Sequence, residues 1–212
     1  SAVFQELSLI PDLTVEQNIW FRREVLTPIG TVRAKAMREM TEALFARYRV
    51  PAPRPDQEVR RLTLADRQIV EIAKALARDP GVLILDEATS SLAPNETEWL
   101  LSLATRLAAE GKLVIYISHR LPEVRVVARR ITVFRNGMTV AVHDTQSVSD
   151  DDVIAAMLGR RMDRLYPERK DTATGRVALR VRGLSAGHRL RDVDLDLREG
   201  EVLGVGGLQG HG

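Results

Sequence analysis

The chain has 212 residues, enough for one well-filled core or for one domain and part of another. Apolar residues make up 44% and charged residues 28%, the balance of a soluble globular protein, and 31 basic against 29 acidic side chains leave little net charge to draw in a nucleic-acid backbone. Aromatic residues, at 4%, are too few for a base-stacking platform, and the lack of cysteine excludes disulfide, zinc–thiolate and thiol chemistry. The arginine pairs Arg22-Arg23, Arg60-Arg61, Arg129-Arg130 and Arg160-Arg161 are scattered among acidic neighbours and read as solvated surface. The longest apolar runs, such as Leu113 to Ile117, fall far short of a membrane span, and no signal-peptide pattern opens the chain, so any membrane link is expected to run through a partner.

Taken in order, Ala2-Val3-Phe4 reads as the end of a strand, followed by a loop through Leu13. Thr14 and Gln17 have the spacing of a capping box. A second helix is expected from about Val32 to Tyr48, stopped by the run from Pro51 to Pro55, and a third opens at Thr63 with Ile69, Ile72, Ala73 and Leu76 at helical spacing. Residues 14 to about 78 are thus expected to be mostly helical. Val82-Leu83-Ile84-Leu85 shows no polar alternation, which predicts a strand buried on both faces of a parallel sheet. Asn95 and Glu98 are expected to cap a long helix that ends at Gly111, and Leu113 to Ile117 repeats the buried-strand pattern. Strand, helix, strand in this order is one crossover unit.

Further on, Ile131 to Arg135 and Met138 to Val142 flank Asn136-Gly137, a two-residue hairpin signal. Ser149 starts a short helix that ends at Gly159, and 161–176 reads as a linker. Val177 to Val181 and Val193 to Leu197 look like antiparallel strands, and Glu201 to Val205 is expected as a strand running into the glycine-rich Gly206-Gly207-Leu208-Gln209-Gly210-His211-Gly212.

Chemistry concentrates at Leu83-Ile84-Leu85-Asp86-Glu87. An apolar strand ending in two carboxylates places them at the carboxyl edge of a parallel sheet, where ligands bind. One acid can hold Mg²⁺ while its neighbour polarises a water for attack on a phosphoryl group. A second such strand ends in Ser118-His119.

Together these segments resemble, in order and spacing, the nucleotide-binding domain of ABC ATPases. Val3-Phe4-Gln5-Glu6 matches the Q-loop, Leu62 to Gln68 the signature motif, Leu83 to Glu87 the Walker B strand, Ser90-Ser91-Leu92 the D-loop, and Tyr116-Ile117-Ser118-His119-Arg120 the switch histidine segment. Val70 to Leu76, Glu87 to Leu92, Tyr116 to Leu121, Met157-Leu158-Gly159-Arg160 and Tyr166-Pro167 narrow the resemblance to tandem sugar-importer ATPases, with nucleoside and autoinducer importers sharing much of the wording. The fold this implies is α/β, a P-loop NTPase-like parallel sheet with an inserted helical subdomain at about 14–78. Residues 1–160 would be a first nucleotide-binding domain without its Walker A part, and 177–212 the opening strands and truncated P-loop of a second.

Roles follow from the resemblance, residue by residue. Asp86 would hold Mg²⁺, Glu87 would orient and deprotonate the attacking water, and His119 would contact the γ-phosphate of ATP. Gln5 would touch the metal or the water. Thr63, Leu64, Ala65 and Asp66 of the signature, with Ser91, would face nucleotide, and Gly207, Gly210 and Gly212 would belong to the second P-loop. The implied partners are a transmembrane permease and, beyond it, a periplasmic solute-binding protein, with the chain peripheral on the cytoplasmic face of the bacterial inner membrane. Rival readings are an ABC ATPase that works without a permease, and a docking module with little or no catalysis.

The signature departs from the family. Thr63 stands for a serine, Ala65 for a glycine and Asp66 for a neutral glutamine. Such a motif aims a helix N-terminus and a hydroxyl at phosphate, so the helix start should survive and the phosphate contact weaken. The strands of 177–205 are equivalent to those that should open residues 1–160, which predicts pairing of this tail with the sheet edges, in cis or as a strand-swapped homodimer. With no P-loop lysine in the sequence, the purified chain is expected to hydrolyse ATP negligibly; measurable Mg-ATP turnover would overturn this.

Overall fold

The computed structural model describes residues 1–4, 6–159, 175–187 and 190–206. The chain divides into two compact units, Ser1–Arg161 and Met162–Gly212.

The first unit is built on β1 (Ala2–Val3), β2 (Val82–Asp86) and β3 (Leu113–Ile117), a parallel sheet in the order β1-β2-β3. Between β1 and β2 come α1 (Val15–Ile19), α2 (Ala34–Tyr48), a 3₁₀ turn (Val59–Arg61) and α3 (Leu64–Leu76). The helix α4 (Pro94–Ala109) crosses from β2 to β3. Then follow α5 (Leu121–Val127), the antiparallel pair β4 (Arg130–Arg135) and β5 (Met138–Asp144), and α6 (Asp150–Leu158).

Local chemistry sets most boundaries. The capping box at α1 forms as expected: Gln17 N donates to Thr14 Oγ1 at 3.3 Å, and Thr14 N donates to Gln17 Oε1 at 2.9 Å. The β4–β5 turn places Asn136 and Gly137 at φ 52° and 76°, the left-handed pair that a two-residue hairpin demands. Ser149 Oγ accepts from Asp152 N at 3.2 Å, and Asp150, Asp151 and Asp152 put negative charge at the positive end of α6. That helix closes at Gly159 with φ +78°, a left-handed position that strains any larger residue, whose Cβ would also displace the Arg135 guanidinium 2.5 Å away.

Several expected boundaries are corrected. The long stretch from 14 to 78 is interrupted: Leu26 and Val32 form an antiparallel bridge around the turn at Gly30, so α2 begins at Ala34 and not at Val32. The helix α4 is not capped at Asn95; it starts at Pro94, whose missing N–H costs nothing in the first turn, and Glu96 Oε2 accepts from Ala93 N at 2.7 Å. The sequence pattern does not announce α5, because its seven residues are too few to show a period. Residues 201–206 form no strand, and Val202 and Val205 are 95% and 90% exposed; with no neighbouring ladder, an apolar run has nothing to pair with.

The larger of two apolar clusters in this unit lies under the sheet. Val3, Leu83 and Leu85 on the inner sheet face meet Ile72 and Leu76 of α3 and Leu100, Leu103 and Leu107 of α4, each 2% exposed or less. A leucine buried so fully contributes roughly 1.5–3 kcal/mol. Trp20, Met37, Leu44 and Tyr48 continue the same cluster into the helical region. There the indole Nε1 of Trp20 donates to Thr41 Oγ1 at 2.9 Å, so its buried polar edge is satisfied. A smaller cluster, Val124, Ile131, Val133 and Val153, holds α5, β4 and α6 together.

The expectation that β2 and β3 are buried on both faces does not hold in the structure. Leu83 and Leu85 are covered, but Val82, Leu113, Ile115 and Ile117 on the opposite face are 42–57% exposed. Apolar residues without alternation show that both faces tolerate burial; coverage requires an element packed there.

The second unit contains β6 (Val177–Ala186) and β7 (Leu190–Arg198), which pair with each other as a two-stranded antiparallel sheet. Among the described residues, no helix is long and apolar enough to cross a membrane.

Leu83→Ala should lower unfolding free energy by about 2–5 kcal/mol in urea titrations, whereas Ile115→Thr on the open face should change it by about 1 kcal/mol or less.

Candidate active site

Parallel pairing brings the ends of β2 and β3 level, with Asp86 opposite Ile117. Glu87 extends this ladder by one residue, its N–H donating to Ile117 O at 3.0 Å. Its backbone is left-handed, φ +50°, a conformation that costs a non-glycine residue roughly 1–2 kcal/mol and persists only where its surroundings impose it. The chain then turns, with Ser90 N donating to Glu87 O at 3.1 Å and Leu92 N to Thr89 O at 3.1 Å.

The turn aims Glu87 across the sheet edge. Glu87 Oε1 accepts from His119 N at 3.2 Å and lies 2.9 Å from His119 Nδ1. With the carboxylate ionised, that contact requires a proton on Nδ1, which leaves Nε2 facing outward from a side chain that is 68% exposed. Glu87 Oε2 and the half-buried carboxylate of Asp86 have no hydrogen-bond or ion-pair partner among the described residues. Glu87 and His119 thus meet across two adjacent strand ends, and Asp86, the last residue of β2, precedes Glu87 in the chain. Ser91 lies in the same turn, and its buried Oγ also lacks a partner.

The N-terminus of α3 forms a separate feature. Thr63 Oγ1 accepts from Asp66 N at 3.1 Å, the expected cap, and donates to Asp66 Oδ2 at 2.7 Å. Asp66 therefore holds the hydroxyl proton and does not reach back to the Thr63 N–H as a capping-box partner would. Leu64 is 62% exposed and Ala65 half-buried. No hydrogen bond or ion pair among the described residues joins Thr63–Asp66 to Asp86, Glu87 or His119. Gln5, Gly207, Gly210 and Gly212 lie outside the described residues. Next to Gln5, the loop is tied to α3 by Ser8 Oγ donating to Glu71 Oε1 at 2.6 Å and by Lys74 Nζ donating to Ser8 O at 3.0 Å.

Sequence reasoning missed Glu123. Its side chain is 10% exposed, and it accepts from Thr89 Oγ1 at 2.8 Å, Tyr116 OH at 2.6 Å and Arg120 Nη1 at 3.2 Å. Burial pushes the Glu123 carboxyl up, but the hydrogen bonds from Tyr116, Thr89 and Arg120 outweigh it and hold the group below the usual carboxylate range. Burial, and then the bond to Glu123, raises the phenol of Tyr116 far above its ordinary value. The signal available in the sequence was an acid four residues beyond His119, behind a proline that suits a first helical turn.

Residues 1–90 match the ABC transporter family, a stretch that runs from β1 through both carboxylates of the strand edge. Over 210 residues, 99% of the chain, it is 43% identical to a protein of Ralstonia nicotianae named as a ribose/galactose/methyl galactoside import ATP-binding protein. It is 40% identical over the same length to a protein of that name from Burkholderia lata. The chain spans 40% of the length of each relative. Among solved structures it resembles a dimeric bacterial ABC transporter cassette, with a TM-score of 0.58 at 22% identity over 69% of this chain and 63% of that one. A dimeric ATP-binding cassette in a post-hydrolysis state with ADP and Pi bound matches equally well. The fold is that of an ABC ATPase cassette, α/β with a parallel sheet.

Because the folded Glu123 carboxyl titrates below its unfolded value, about 4.3, its contribution to stability is present above that pH and lost as pH falls through the lower, folded value. Glu123→Gln should flatten the loss of stability below about pH 4, read from urea midpoints across an acid pH series.

Proposed function

We propose that this chain is part of the ATPase subunit that powers import of a sugar, or a similar small polar solute, through a membrane permease. The observation that carries this is the contact of Glu87 with His119 at the sheet edge where β2 ends in Asp86, with Glu87 Oε2 left open. The names of the relatives support the solute class and the import role.

In this reading Glu87 Oε2 takes a proton from the attacking water, while Oε1 stays engaged with His119. An imidazolium that donates from Nδ1 to Glu87 can donate from Nε2 to the γ-phosphate. The Asp86 carboxylate suits Mg²⁺, which takes one or two carboxylates and completes its shell with phosphate oxygens and water. Bound there, Mg²⁺ would neutralise charge on the phosphates. Gln5 would touch the metal or the water, Ser91 would present its unpaired hydroxyl to nucleotide, and Gly207, Gly210 and Gly212 would cradle phosphate in a second domain covering 177–212. The first domain covers 1–160. The permease would dock on the helical region, holding the protein at the cytoplasmic face of the inner membrane, with a periplasmic solute-binding protein beyond it.

The Thr63–Asp66 bond favours a second reading. A hydroxyl whose proton is committed to a carboxylate is a poor phosphate donor, and that carboxylate repels phosphate, which suits a docking module of low activity. In the full-length protein, Glu87→Gln should reduce ATP hydrolysis by about 10²–10⁴-fold with nucleotide affinity nearly unchanged. Wild-type protein that binds the permease but shows no turnover, and no response to Glu87→Gln, would establish the docking reading instead.

A further inference from the structure

We infer that Glu123 is a positioning residue for the Glu87–His119 pair, acting through a buried hydrogen-bond hub that ties together the two turns carrying it. The inference rests on the reading of Glu87 and His119 as the reacting pair and assigns how they are held.

His119 is weakly restrained by packing: its side chain is 68% exposed, and its contact with Glu87 is its hydrogen bond to the rest of the chain. Glu87 occupies a left-handed backbone position that needs support from outside the turn. That support converges on one carboxylate. Glu123 makes no hydrogen bond to Glu87 or His119. It accepts instead from Thr89, two residues beyond Glu87, and from Arg120, the residue after His119. Tyr116, from the strand that leads to His119, donates to the same oxygen as Thr89. Ser118, the residue before His119, lies at 3.5 Å from that oxygen, and its hydroxyl accepts from Arg120 N at 3.0 Å.

The geometry is directional. Glu123 Oε2 joins the turn after β2 to the end of β3, and Oε1 fixes the residue on the far side of His119. Thr89 is 1% exposed and Glu123 8%, so water does not replace these bonds when one partner is removed. Truncating Glu123 removes the acceptor that the buried Thr89 hydroxyl shares with the half-buried Tyr116 hydroxyl. The turns then relax toward other partners, and the Glu87–His119 contact, which depends on both, loses its register. A plain structural staple would instead weaken the fold and leave that contact unchanged.

The test reads the pair and not ATP turnover. In the ¹⁵N-labelled 212-residue chain at mildly alkaline pH, where an ordinary imidazole is neutral, long-range ring ¹H–¹⁵N spectra report which nitrogen of His119 carries the proton. Its signals are assigned by their loss in His119→Gln. The wild-type chain should show Nδ1–H. Glu123→Ala should move most of the population to Nε2–H, the form a solvated histidine side chain prefers, in protein whose circular dichroism is unchanged. If Glu123→Ala does not fold, Thr89→Val combined with Tyr116→Phe removes the same two bonds and should give the same shift. Persistence of Nδ1–H in the folded variant overturns the role of Glu123 and leaves the proposed function standing. A wild-type His119 already in the Nε2–H form would overturn both.

Discussion

The arrangement of the site depends on the parallel register of β2 with β3. Pairing Asp86 with Ile117 sets the two strand ends level, and the bond from Glu87 N to Ile117 O carries that register one residue past the strand. A slip of one residue would point Glu87 to the other sheet face and break its contact with His119. The register is fixed from beneath by Leu83 and Leu85, both buried against α3 and α4. Packing under the sheet and chemistry at its rim are thus one constraint.

Polar bonds carry that order outward. Asn18, 1% exposed, donates to Ile10 O and Thr14 O and accepts from Ile10 N, which fastens the loop after β1 to α1. Ser8, Glu71 and Lys74 fasten the same loop to α3. Asn18 and Glu71 are buried, so for them an unmade bond would cost more than a made one contributes. The loop beside Gln5 is therefore linked to the helix that starts at Thr63, a physical connection between two segments of the family resemblance.

The start of α3 shows how one substitution has two effects. An aspartate three residues after the cap stabilises the helix end through its charge and through its bond to Thr63 Oγ1. The same bond withdraws the hydroxyl from any ligand. Composition at that position favours the helix over the phosphate contact, as the sequence alone suggested, but the mechanism, capture of the hydroxyl proton, is visible only in the structure.

Local signals legible in the sequence were those with local causes. The caps at Thr14, Thr63 and Ser149, the Asn136-Gly137 turn, the strand–helix–strand unit and the paired acids at its end all follow from residues within a few positions of one another. The start of α4 was misplaced because Glu96 serves a residue with no side-chain acceptor of its own, a pattern without a sequence signature. Sequence by itself determined that β2 and β3 are apolar throughout and that an acid pair and a histidine end them. Tertiary structure decided which face is covered, leaving Leu113, Ile115 and Ile117 exposed, and that Glu123, from a helix too short to announce itself, joins Thr89 to Tyr116. The reason is that burial and long-range hydrogen bonds are properties of pairs of distant segments, and no single stretch of sequence contains both members.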